Sequence, residues 1–193
     1  MSIVIIGSGA AGVTLAEELR KLNPEKDVRI ITEETHGVYA RPMLSHGFTR
    51  EDIEQKIILK SFESLEAIGV TVDSGSSVTA IDPETHQIQI QRHESTESLS
   101  YDTLVLAPGS DTFVPPSFEA SFSKLRTVNS LDDLIDLRRL RQTLQGSGQK
   151  PHWALIGGGL IGCEVASDMA RAGDDVTLIH PLGTLMERQL EDD

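Results

Sequence analysis

The sequence predicts an α/β fold made of two β-α-β units in tandem, and three observations carry that prediction. An apolar run, Ile3 to Ile6, closes on glycines in G-x-G-x-x-G spacing at Gly7, Gly9 and Gly12. The same pattern returns at Gly157, Gly159 and Gly162, with Gly157 150 positions after Gly7. Each loop lies between a β-branched apolar run and an amphipathic helical pattern, and a second apolar run follows each helix. In such a loop one glycine makes the strand-to-helix turn, the next lets backbone approach a pyrophosphate, and the third lets helix pack closely on strand. The helix start adds free N–H groups and the positive end of its dipole. Two such fingerprints, each in the right setting, specify Rossmann-like dinucleotide-binding units far better than one.

In chain order, Ile3 to Ile6 reads as a strand buried on both faces, because its apolar residues do not alternate. Ala10 to Leu22 is a helix with Val13, Leu15, Ala16 and Leu19 on one face and charges opposite, ended by Asn23 and Pro24. Val28 to Thr32 is the second strand. His36 to His46, HGVYARPMLSH, reads as a loop from its glycine and proline. Phe62 to Ile68 is helical and Val70 to Val72 a short strand. Ser77 to Ile81 and Gln87 to Gln91 form a hairpin about Asp82-Pro83-Glu84-Thr85, an antiparallel insertion in the first unit. Thr103 to Ala107 is a buried strand closed by Pro108 and Gly109, and Ser110 to Pro116 has the composition of a crossing between domains. Leu131 to Leu144 is a helix capped by Asn129 or Ser130, with acids early and arginines late. Trp153 to Ile156, Cys163 to Arg171 and Val176 to Ile179 form the second β-α-β. The expected domains are 1–112 and 113–193, and the closing run from Glu187 to Asp193 reads as a solvated end.

The candidate site residues follow from the loops. Gly7, Ser8, Gly9, Ala10, Ala11 and Gly12 form the first cradle; Gly157, Gly159, Leu160, Ile161 and Gly162 form the second. Glu33 and Glu34 stand at the end of the second strand, and Glu34, 22 positions after Gly12, is where a carboxylate accepts hydrogen bonds from an adenosine ribose. Arg41 is placed to reach a phosphate or ribose, with Pro42 stiffening the backbone beside it; an ordinary surface loop reads equally well. After the second unit's last strand comes His180, then Pro181, which leaves the choice between NADH and NADPH open. Glu164, in the first turn of its helix, reads either as a helix-stabilising carboxylate or as a functional group. Trp153 reads as core and Cys163 as packing.

Composition excludes other classes. The net charge of −13, from 30 acidic and 17 basic residues, argues against nucleic acid and anionic membrane as partners. A single cysteine excludes an internal disulfide and fits a reducing compartment. The six histidines lack paired metal-ligand spacing, so no metal site is expected. No apolar run spans a bilayer and the start carries no signal-type segment, so a cytoplasmic location is the expectation.

The segments IVIIGSGAAG, YARPMLS, IDPETH, LVLAPG and ALIGGGLIGCEVASDM together resemble the FAD-dependent pyridine nucleotide-disulfide oxidoreductase superfamily, and within it most nearly the bacterial rubredoxin reductases. The resemblance implies that Gly7 to Gly12 holds the FAD pyrophosphate and Glu34 the adenosine ribose, and that Arg41 contacts FAD. It implies backbone contacts from Val78 to the adenine, and places Ala107 and Gly109 against the flavin. Gly157 to Gly162 would hold the NAD(P)H pyrophosphate, and Glu164 would lie close to nicotinamide and isoalloxazine. Two departures matter. The redox cysteine pair of the disulfide reductases is missing, which argues against a thiol relay, and His46 stands where many relatives carry lysine.

The implied function is a flavoprotein reductase that passes electrons from NAD(P)H through FAD to a small iron protein such as rubredoxin, with NADH ranked before NADPH. A ferredoxin reductase, the flavin module of a nitrite reductase large subunit, and a non-catalytic nucleotide-binding module are the alternatives. The second unit stops after one β-α-β, so the sequence reads as a fragment whose isolated activity would be impaired.

Overall fold

A computed structural model describes residues 1–116, 118, 125–187 and 189–190. The elements run β1 (Ser2–Ile6), α1 (Ala10–Leu22), β2 (Asp27–Ile31), β3 (Val38–Tyr39), a 3-10 segment (Arg41–His46), α2 (Ile53–Lys56), β4 (Ile58–Lys60), α3 (Phe62–Glu66) and β5 (Val70–Asp73). They continue with β6 (Ser76–Asp82), β7 (Gln87–Arg92), β8 (Ser95–Ser100), β9 (Thr103–Leu106), α4 (Leu131–Gly146), β10 (His152–Ile156), α5 (Leu160–Arg171) and β11 (Asp175–Ile179). Two compact units result, one of Met1–Tyr39 with Ile58–Ser110 and one of Ala40–Ile57 with Asp111–Asp193. Residues 40–57, which the expected division at 112 leaves in the first part, thus run with the second.

The first unit is a parallel sheet in the order β5-β2-β1-β9, the arrangement of a doubly wound half. β1 and β9 carry unbroken apolar runs because both faces of the sheet are covered. Ile3, Ile5, Val28 and Ile30 pack with Val13 and Ala16 of α1 and with Leu65 of α3. Val4 and Ile31, one residue out of step, pack on the other face with Ile88, Ile90 and Tyr101. That second cover is a three-stranded antiparallel sheet, β6-β7-β8, in which β6 and β7 are the expected hairpin and β8 is a further strand. β8 escapes pattern reading because five of its six residues, STESLS, are polar: an outer strand held by backbone pairing needs no apolar alternation. The expected loop at 36–46 also holds structure. Val38 and Tyr39 pair with Lys60 and Ile58, and Pro42 pre-sets the first turn of the 3-10 segment.

In the second unit Ser130, not Asn129, caps α4: its hydroxyl accepts from Asp133 N–H at 3.1 Å, and the Asp133 carboxylate accepts from Ser130 N–H at 3.2 Å. Leu131, Leu134 and Leu137 are buried, and the Leu134 side chain lies where a Cβ on Gly47 would stand. α5 starts at Leu160, three residues before the expected Cys163, and follows β10, which pairs in parallel with β11. Residues 40–57 are tied in by side chains rather than by sheet. Asp168 of α5, fully buried, accepts from Phe48 N–H at 2.7 Å, Thr49 N–H at 3.2 Å and Thr49 Oγ1 at 2.5 Å. Arg138 of α4 donates to the carbonyls of Gly47, Arg50 and Glu51 at 2.9–3.0 Å. Trp153 is half-buried, with its indole N–H 2.8 Å from Asp174. Of the closing run, Arg188 and residues 191–193 lie outside the described residues, and Glu187 is paired with His180 and not simply solvated.

Candidate functional site

The first loop is a turn that few side chains would permit. Gly7 has φ +102°, and a Cβ there would stand 2.1 Å from the Ala107 carbonyl oxygen. Gly7 N–H donates to the Ile31 carbonyl at 2.8 Å, so the turn is pinned between the ends of β2 and β9. Because β1 has β2 on one side and β9 on the other, this is the point where strand order reverses and where open α/β sheets bind ligands. A Cβ on Gly12 would lie 2.1 Å from the Gly7 carbonyl oxygen, so α1 rests on the loop as only glycine allows. Gly9, Ala10 and Ala11 are exposed, nothing lies within 4 Å of a Cβ on Gly9, and α1 has no side-chain cap. The first-turn N–H groups therefore face open space, the requirement of an anion cradle. Ser8 is buried, its hydroxyl 2.8 Å from that of Thr32, a brace between loop and β2 that sequence reading missed.

The second unit repeats this geometry. Gly157 has φ +111° and donates to the Ile179 carbonyl at 2.9 Å. A Cβ on Gly162 would lie 1.9 Å from the Gly157 carbonyl oxygen, and one on Gly159 would meet nothing within 4 Å. Gly159, Leu160 and Ile161 are exposed at the start of an equally uncapped helix. Hence both backbones fit a pyrophosphate.

The remaining candidates differ in setting. Glu33 is exposed, accepts from Ser77 Oγ, and borders a depression of about 310 Å³ with Gly75, Ser77, Gln91 and His93. Glu34 is half-buried and accepts from Tyr39 Oη at 2.8 Å, so the two acids past β2 are already oriented. Val78 lies in β6 at a break in its register with β7. Ala107 abuts Gly7, and Gly109 is exposed with φ +76°. Arg41 and Pro42 belong to the second unit, where Arg41 donates to the Asn129 carbonyl. Glu164 of α5 is half-buried and its Oε2 lies 2.8 Å from Ser45 Oγ, a buried hydroxyl also 3.0 Å from the Pro42 carbonyl. Ser45 is a second residue that sequence reading did not single out. A larger depression on this unit, about 620 Å³, is bordered by Arg138, Arg141 and Arg171 and not by the glycine loop. Among the described residues no cluster could hold a metal ion and no helix is long and apolar enough to cross a membrane.

The profile of the pyridine nucleotide-disulphide oxidoreductases matches residues 1–193, the whole chain. The chain belongs to the pyridine nucleotide-disulphide oxidoreductase family. Among its relatives is a rubredoxin-NAD(+) reductase of Acinetobacter baylyi, 35% identical, with 98% of this chain matching 49% of the relative. The putidaredoxin reductase in a covalent complex with putidaredoxin superposes with a TM-score of 0.82 at 28% identity, over 98% of this chain and 44% of that one. The NADH:rubredoxin oxidoreductase of Clostridium acetobutylicum gives 0.76 at 25% identity, over 99% and 48%. The chain spans about half the length of the curated relatives it matches. Membership in a family of pyridine nucleotide-disulphide oxidoreductases implies FAD and NAD(H), and the open, amide-lined loops fit both. Cys163, the chain's one cysteine, has its thiol 3.4 Å from the Gly158 carbonyl.

Proposed function

We propose that this chain supplies the two nucleotide-binding loops of a flavoprotein reductase, FAD on Gly7–Gly12 and NAD(P)H on Gly157–Gly162, and that electrons leave for a small iron protein of the rubredoxin or ferredoxin kind. The observation that carries this reading is the repeat itself: two uncapped helix starts, each behind a glycine turn of positive φ, in one chain. The names of the relatives supply the acceptor class.

The residues' roles follow from chemistry. The amides of Ala10 and Ala11, and of Leu160 and Ile161, bind pyrophosphate oxygens and hold each nucleotide in register. Glu34, oriented by Tyr39, accepts from the adenosine ribose of FAD, with Val78 backbone toward the adenine and Ala107 and Gly109 toward the flavin. Glu164, oriented by Ser45, is fixed for a role beside the nicotinamide. When bound, the cofactors supply hydride and single-electron transfer. With one cysteine the chain itself holds no cysteine pair for a thiol relay. The FAD and NAD(P)H domains are proposed as 1–112 and 113–193, with residues 40–57 grouped with the second unit.

Anaerobic addition of NADH to the chain loaded with FAD tests the proposal. Loss of oxidised-flavin absorbance, regained on adding oxidised rubredoxin, is the expected result. Flavin that stays oxidised under saturating NADH would favour a non-catalytic nucleotide-binding module instead.

A further inference from the structure

The second loop lacks the strand-end carboxylates of the first, and the repeat between the units shows what replaces them. The two loops are brought into register by equivalent bonds, Gly7 N–H to the Ile31 carbonyl and Gly157 N–H to the Ile179 carbonyl. Ile179 thus corresponds to Ile31 and His180 to Thr32, while Pro181 and Leu182 stand where Glu33 and Glu34 do.

Past Leu182 the chain turns back onto the loop. Met186 N–H donates to the Gly158 carbonyl at 2.8 Å. A Cβ on Gly158 would stand 2.5 Å from Leu185 Cδ2 and 2.8 Å from His180 Cγ, so the fold-back seats directly on that glycine. His180 Nδ1 accepts from Gly158 N–H at 3.1 Å. That bond fixes the ring against the loop and leaves Nε2 to meet a second partner. Nε2 faces Glu187 Oε2 at 3.1 Å, with the His180 side chain 12% and that of Glu187 29% exposed. Glu187 is thereby carried to the end of β11 beside the second loop, 25 positions after Gly162, where Glu34 is 22 after Gly12.

We propose that Glu187, oriented by His180, is the carboxylate that reads the adenosine ribose at the second loop, and that the site takes NADH in preference to NADPH. The proposal rests on the reading of Gly157–Gly162 as the NAD(P)H site. A carboxylate accepts hydrogen bonds from the ribose hydroxyls, whereas a 2′-phosphate brings like charge against it. Arg188, next in sequence after Glu187, is the anchor that the opposite preference would require.

Calorimetric titration of the chain with NADH and with NADPH tests this without turnover, in wild type, Glu187→Gln and Glu187→Asp, with thermal melts as the check on folding. Wild type is expected to bind NADH at least about tenfold tighter, the size of one hydrogen-bonding set to a charged acceptor. Glu187→Gln is expected to bring the ratio close to one, chiefly by weakening NADH, and Glu187→Asp to recover part of it. NADPH bound as tightly as NADH by wild type, or a ratio that Glu187→Gln leaves in place, overturns the proposal and leaves the second loop a nucleotide site. Binding of neither nucleotide overturns the reading of the loop itself.

Discussion

Gly9→Ala separates the fold of the first loop from its ligand. Gly9 has φ −68° and ψ 179°, a conformation open to alanine, and a Cβ there meets no atom within 4 Å. Alanine at an N-cap costs about 1 kcal/mol against glycine. The stiffer unfolded chain returns roughly 0.4–1 kcal/mol, so stability should change by less than about 1 kcal/mol and Tm by less than about 4 °C. The same methyl stands in open space at the second glycine of the loop, the position where backbone must approach the pyrophosphate closely. A phosphate oxygen must come within about 3 Å of a donor nitrogen, while a methyl carbon holds atoms off at about 3.5 Å or more. Losing two charge-assisted bonds of about 1.5–3 kcal/mol each lowers affinity by roughly 10²–10⁴-fold. The assay is a melt paired with FAD and NADH titrations of Gly9→Ala and of its counterpart Gly159→Ala, where a Cβ again meets nothing within 4 Å. FAD alone should be lost in the first and NADH alone in the second. A well-folded Gly9→Ala that binds FAD like wild type refutes the reasoning, and equal loss of both ligands refutes the division of roles.

Gly12→Ala acts oppositely, because its Cβ would stand 2.1 Å from backbone oxygen: destabilisation of about 1–3 kcal/mol is expected in a urea melt, with FAD affinity falling alongside. Asp168→Ala strands the N–H groups of Phe48 and Thr49 and should cost about 3–5 kcal/mol. Fluorescence of Trp153, 6.2 Å from the Phe48 ring, reports that loss, and Asp168→Asn, which keeps one acceptor, should cost less. The Asp102 carboxyl is held below the usual carboxylate range, first by the Ser2 N–H at 2.6 Å. A carboxylate whose pKa is lowered by folding stabilises above its unfolded value, about 3.9, and loses that contribution as pH falls through the folded value. Melts of Asp102→Asn should therefore fall below wild type at neutral pH and converge with it in acid; a constant difference would contradict the bond.

Where burial dictates residue type, the chain was legible. Ile3 to Ile6 and Ala10 to Leu22 read correctly because a strand covered on both faces and a helix covered on one leave unmistakable patterns, and the paired glycines followed from steric need at Gly7 and Gly12. β8 was illegible because an outer strand made of serine, threonine and glutamate owes its form to backbone pairing with β7. The attachment of residues 40–57 to the second unit depends on Asp168 and Arg138, which lie about 90–120 positions away and carry no local signal. Thr32 and Ser45 escaped for a related reason: each orients another residue through one hydroxyl, and a lone hydroxyl has no pattern. His180 was noticed, but its correspondence to Thr32 appears only once the Gly157 bond to Ile179 fixes the register.

Two distinct nucleotide sites on one chain are what the repeated glycine turns at Gly7 and Gly157 require. Equilibrium binding of FAD and NADH, measured separately and then together on the same preparation, tests this most directly. One FAD and one NADH per chain, held at the same time, is the expected result. Mutual displacement of the two ligands, or saturation at one nucleotide in all, would contradict it.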